Sequence, residues 1–86
     1  MVWHVYVLVS LTSKIRYVGM TQNLSRRLLE HNAGKSKFTS GHLPWTMVYS
    51  ESFANSKEAR LREKYFKSYT GRRFLDDKLR NGSLPA

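Results

Sequence analysis

The stretch from Val2 to Val9 constrains this chain more than any other. Val2, His4, Tyr6 and Leu8 project one way from an extended backbone, and Trp3, Val5, Val7 and Val9 project the other. Both sets are largely apolar. A strand with one wet face alternates apolar and polar residues, so this one reads as central or covered on both faces. It lacks the basic n-region of a secretion signal, and its alternation supports a strand. With 86 residues, the chain is long enough for one modest core and too short for two.

The remaining elements follow in order. Leu11-Thr-Ser-Lys14 is a polar turn, and Ile15 to Met20 returns as a second strand. The turn has no Asn-Gly pair, so a loop longer than two residues is expected. A helix follows from about Asn23 to Asn32, with Thr21 and Asn23 as candidate N-caps and Gly34 as its C′ residue. Leu24, Leu28 and Leu29 make its apolar stripe. Lys35 to Gly41 is a basic, hydroxyl-rich loop of the kind that contacts phosphates, or a solvated surface loop. Pro44 marks the entry to a third strand, Trp45 to Phe53. Asn55 and Glu58 have capping-box spacing for a second helix to about Tyr69. Gly71 is expected to end that helix, with a short last one from Arg72 to Arg80. The predicted architecture is α+β: a small three-stranded antiparallel sheet with flanking helices, in the order β-β-α-β-α-α. Residues 1–80 form the domain and 81–86 a disordered tail.

Charge is the strongest compositional signal. Fifteen Lys and Arg against six Asp and Glu give a formal net charge of +9. A field of that sign attracts polyanions, above all nucleic acid. No apolar run approaches the roughly 20 residues that span a bilayer, and no long lysine-faced amphipathic helix suggests a membrane surface. Cysteine is absent, which excludes disulfides and thiolate zinc sites and is compatible with the cytoplasm. His4, His31 and His42 share no metal-ligand spacing.

The segment from Tyr17 to His31 places a strand ending in Tyr-Val-Gly directly before a helix. Arg27 and His31 stand four residues apart on that helix, on a face bordering Leu24 and Leu28. Two readings are open. One is a snorkelling arginine and a satisfied boundary histidine; the other is a polar site at the sheet–helix junction. Glu63 shares a helix face with Ala59 and Phe66, either as a surface partner of Lys67 or as a functional carboxylate.

These residues resemble the GIY-YIG nuclease domain, the module found in some homing endonucleases and at the N-terminal end of a DNA-repair excinuclease. The chain is most similar to the stand-alone bacterial proteins that are little more than the module. His4-Val5-Tyr6 and Tyr17-Val18-Gly19 match the two name-giving tripeptides, with His4 where the family usually has glycine. Arg27 and His31 match the family's arginine and histidine, and Glu63 its metal-binding glutamate. The late asparagine of many members has no confident counterpart; Asn81 is a poor candidate.

The resemblance implies a metal-dependent endonuclease acting on DNA in preference to RNA, with a role in structure-selective repair or recombination. The alternative is a catalytically weak or silent nucleic-acid-binding module. Glu63 would bind one Mg²⁺ or Mn²⁺, and no small-molecule cofactor is expected. Tyr6 or Tyr17 would take a proton from the attacking water, with Arg27 on phosphate oxygens and His31 orienting a tyrosine or accepting its proton. Arg26, Lys35 and Lys37, with Arg27, would hold further phosphates.

Overall fold

The computed structural model describes residues 2–80. The predicted tail, residues 81–86, lies outside the described residues. The strand β1 (Trp3–Ser10) is the middle of a three-stranded antiparallel sheet, between β2 (Arg16–Thr21) and β3 (Trp45–Phe53). Three helices complete the α+β fold: α1 (Leu24–Asn32), α2 (Ser56–Lys67) and α3 (Tyr69–Arg80). The element order is the one expected.

The two-sided apolar pattern of β1 explains its central place. Val5 and Val7 join a core with Ala59, Phe66 and Leu75 from α2 and α3. Tyr6 and Leu8 join a second core with Trp45, packed against Leu24 and Leu28 of α1. All four β1 residues are at most 1% exposed. The sheet therefore separates two cores, and the residues of interest lie in the one beneath α1. The β1–β2 hairpin closes through residues 11–14, with Ser10 N–H bonded to the Ile15 carbonyl at 2.9 Å. The register pairs Tyr6 with Gly19 and Leu8 with Tyr17. Tyr6 and Tyr17 are consequently diagonal neighbours on one face.

Asn23 is the cap of α1, its side chain accepting the Arg26 N–H at 3.0 Å. Thr21 instead accepts the Asn23 N–H at 3.1 Å and shapes the turn into the helix. The expected apolar stripe is corrected at one position: Leu29 is 71% exposed. At about 100° per residue, Leu29 stands roughly 140° from Leu24, whereas His31 comes back within about 20° of it. His31 therefore takes the buried place beside Leu24 and Leu28.

The junction of α2 and α3 also differs from expectation. Helix α2 ends at Lys67, and α3 begins at Tyr69. Ser68 makes the break: its hydroxyl donates to the Tyr65 carbonyl at 2.6 Å and accepts the Gly71 N–H at 3.2 Å. Gly71 is not a terminator. It lies buried inside α3, where a Cβ would fall 1.8 Å from the Tyr65 carbonyl oxygen. Glycine is there for space.

Arg62 sets the rotation of α2. Its guanidinium donates twice to Glu51 of β3, at 2.8 and 3.1 Å, and lies 4.6–5.0 Å from the ring centres of Tyr65, Phe66 and Phe74. With that residue pinned on β3, the next one, Glu63, is turned about 100° around the helix.

Candidate active site

Tyr6 and His31 meet under α1. The Tyr6 hydroxyl donates to His31 Nε2 at 2.9 Å, and His31 Nδ1 lies 2.8 Å from the Thr39 hydroxyl. The Thr39 hydroxyl directs its own proton to the Ser36 carbonyl at 3.4 Å. In that orientation it accepts from the imidazole Nδ1–H, which leaves the Nε2 lone pair for tyrosine. Thr39 sits in a 3-10 turn, Thr39–His42, at the end of the loop expected to be basic and hydroxyl-rich. Tyr6, His31 and Thr39 are at most 1% exposed.

Electrostatics follow from that burial. The loss of water holds His31 below its ordinary value of 6.5, and the nearby Arg27 charge lowers it further. The imidazole is neutral and basic at Nε2. Burial pushes the Tyr6 hydroxyl up to about 12, with Arg27 opposing and the charges of Tyr17 and Glu63 adding to the rise. Because the folded pKa of His31 lies below its unfolded one, its contribution to stability is complete above about pH 6.5 and is lost as pH falls from there through the lower folded pKa. Thermal melts should therefore show the parent losing stability between neutral pH and pH 5, with a shallower loss in His31→Gln. Parallel curves for the two proteins would contradict the buried neutral imidazole.

Tyr17 packs edge-on against His31, ring centres 4.9 Å apart, and 6.3 Å from Tyr6. Its hydroxyl makes no hydrogen bond to another described residue. Arg27 lies one turn before His31, with its side chain 32% exposed and Nη1 3.0 Å from Glu30 Oε1. Arg26 holds the other oxygen of the same carboxylate at 3.2 Å. The hydrogen bond from Arg27 keeps Glu30 below the usual carboxylate range. Glu63 is near enough for its charge to act on the Tyr6 hydroxyl. Its side chain is 16% exposed and pairs with Lys67 at 3.3 Å.

Tyr6, Tyr17 and His31 are thus in one cluster; Arg27 stands beside the Tyr6 hydroxyl and acts on it by hydrogen bonding and by charge, and Glu63 acts on it through charge. Lys35, Lys37 and Arg26 are exposed and outside the cluster. A cleft of about 460 Å³ opens beside Arg26, Arg27 and Glu30, and another of about 280 Å³ beside Tyr17, Lys67 and Arg72. Arg72, which the sequence did not single out, lines the second cleft with Tyr17 and Lys67. Thr39 and Glu30 were also missed. Their roles come from chain segments meeting in space, and only the hydroxyl-rich character of the loop hinted at Thr39.

Gly19 has a steric role. A Cβ there would lie 2.5 Å from the Tyr6 hydroxyl and 3.1 Å from the Tyr17 ring. Gly19→Ala should therefore push the phenol off His31, with a fall in any cleavage rate exceeding tenfold and a modest drop in melting temperature. An unaltered rate with an intact fold would show that this contact is dispensable.

A buried tyrosine–histidine–threonine chain thus lies on one face of a small sheet, with Arg27, Glu30 and Glu63 near it. The chain matches the GIY-YIG catalytic domain over residues 2–76 and belongs to that family. It is similar to a UPF0213 protein of Bacillus licheniformis, 35% identical over 83 residues, which cover 92% of this chain and 86% of the relative. A UPF0213 protein of Halobacterium salinarum is 43% identical over 61 residues, covering 70% and 78% of the two chains. The solution NMR structure of a UPF0213 protein from Bacillus halodurans is 30% identical, with a TM-score of 0.54 over 90% of this chain and 84% of that one. Among the described residues, no helix is long and apolar enough to cross a membrane.

Proposed function

We propose that this domain is a metal-dependent endonuclease that hydrolyses phosphodiester bonds in DNA, with a structure-selective role in repair or recombination. The observation that carries the proposal is the chain from Tyr6 Oη through His31 to Thr39, at 2.9 and 2.8 Å. A tyrosine whose hydroxyl is held up at about 12 loses its proton readily only if an acceptor is already in place. Neutral His31 is that acceptor. As Tyr6 takes a proton from the attacking water, its own passes to Nε2, and Thr39 keeps the imidazole in the accepting tautomer. Arg27 offers the planar fork that suits phosphate oxygens, once Glu30 yields part of it.

The residues present fit one hard divalent ion. Among the described residues, no three His, Cys, Asp or Glu gather to form a closed metal site. A lone, partly exposed carboxylate suits magnesium, which keeps most of its waters. Glu63 would hold it, with Lys67 released toward phosphate. When bound, the ion supplies positive charge to the phosphate and the leaving oxygen.

Glu63→Gln should abolish Mg²⁺- or Mn²⁺-dependent cleavage while leaving the fold and most DNA binding intact. Cleavage at the parent rate would reduce Glu63 to a surface partner of Lys67. The decisive experiment is a cleavage assay on branched, nicked and linear DNAs with Mg²⁺, Mn²⁺ or chelator. A second reading, a binding module without catalysis, is favoured by two observations. Both arginines on α1 are engaged by Glu30, and Glu63 is engaged by Lys67. DNA binding with no cleavage under any metal selects that reading.

A further inference from the structure

Phe38 is 54% exposed in the loop after α1. A lone exposed phenylalanine needs no explanation, but three observations set this one apart. Its ring stacks on Tyr17, with centroids 6.1 Å apart and planes 27° from parallel. Exposed Lys35 and Lys37 precede it in the same loop. The residue after it is Thr39, whose hydroxyl bonds His31 at 2.8 Å. The ring is thereby tied to the Tyr6–His31 pair, with two lysines in the same loop and about half of its surface open.

We infer that Phe38 is a stacking platform for one unpaired base next to the phosphate at the candidate site, so that the preferred substrate is single-stranded or locally unpaired nucleic acid. The inference rests on the nuclease reading for its purpose and deepens it. An aromatic ring can stack on any base, because every base has a π-face. In a duplex those faces are already covered by neighbouring bases, so only a splayed or unpaired nucleotide can use the ring. Lys35 and Lys37 would hold the phosphates on either side without reading sequence. Tyr17 backs the ring and ties an occupied platform to the cluster around His31.

The test is binding measured by fluorescence anisotropy in chelator, where no cleavage can occur. The probes are a short single-stranded oligodeoxynucleotide, an abasic strand of the same length, and a blunt-ended duplex of the same sequence. Phe38→Ala should weaken the single strand by about 5- to 150-fold, the span for loss of one base–aromatic stack. It should leave the abasic strand and the blunt duplex unchanged. Phe38→Trp should hold affinity, and Phe38→Leu should lose it despite its bulk. The salt dependence should not change, because no charge has been removed.

Equal weakening on all three probes, or none on the single strand, would overturn the inference and leave Phe38 as a cover for Tyr17. Failure of the parent to bind any probe would overturn it too. The two readings fail separately. A Phe38 effect in a protein that cuts nothing removes the nuclease and keeps the platform. Cleavage that ignores Phe38→Ala keeps the nuclease and removes the platform.

Discussion

Tyr6→Phe should slow metal-dependent cleavage by about 10²–10⁴-fold, the usual contribution of a positioned proton acceptor. The substitution removes one oxygen and keeps the ring. That ring is 1% exposed and packs with Leu8 and Trp45, so the core loses almost no apolar contact. What is lost is the 2.9 Å hydrogen bond to His31 Nε2, which leaves a buried acceptor without a partner. Such a loss costs about 1–3 kcal/mol of stability. The expected rate effect corresponds to about 3–5 kcal/mol on the barrier. Catalysis should therefore suffer more than the fold, and single-turnover cleavage well below the melting temperature separates the two. Tyr17→Phe is the control. Its hydroxyl has no bonded partner among the described residues, so the smaller loss is expected there. If both variants cleave normally, the tyrosines only pack. The pH profile gives a further check. With His31 held below its ordinary value of 6.5, the acid limb of the rate should fall below that value.

Gly71→Ala should cause the largest loss of stability of any single methyl added to this domain. Helix propensity alone predicts the opposite, since alanine is better than glycine in a helix by about 1 kcal/mol. The local geometry overrides that gain. The new Cβ would lie 1.8 Å from the Tyr65 carbonyl oxygen and 2.7 Å from the Phe66 Cα, and backbone cannot turn aside as a flexible side chain can. Helices α2 and α3 must separate, and the contact of Phe66 with Leu75 at the centre of one core opens with them. Overpacking typically costs about 1–3 kcal/mol and at times more; the backbone clash puts this case at about 3 kcal/mol. For a domain of this size that lowers the melting temperature by roughly 12–24 °C. Thermal denaturation followed by far-ultraviolet circular dichroism measures it. An unchanged or higher melting temperature would mean that the two helices are not held this closely.

The pattern of β1 was sufficient to place it at the centre of the sheet. Only a strand between two layers needs apolar residues on both sides, and that requirement is local enough to read along the chain. The caps at Asn23 and Asn55 were legible for the same reason, because a cap bonds the backbone three residues ahead. Arg27, His31 and Glu63 were singled out through the spacing of the family's motifs. Their surroundings were not legible. His31 has its place in the buried stripe because Leu29 rotates out, and its tautomer depends on Thr39, eight residues away across a loop. Gly19 and Gly71 look like a strand residue and a helix stop in sequence. In three dimensions each is a gap, filled by Tyr6 in one case and by the end of α2 in the other. Local preferences and periodicity act within a few residues, so the sequence determined the elements, their order and the central strand. Close approach, burial and the direction of a proton depend on segments meeting, and only the tertiary structure decided those.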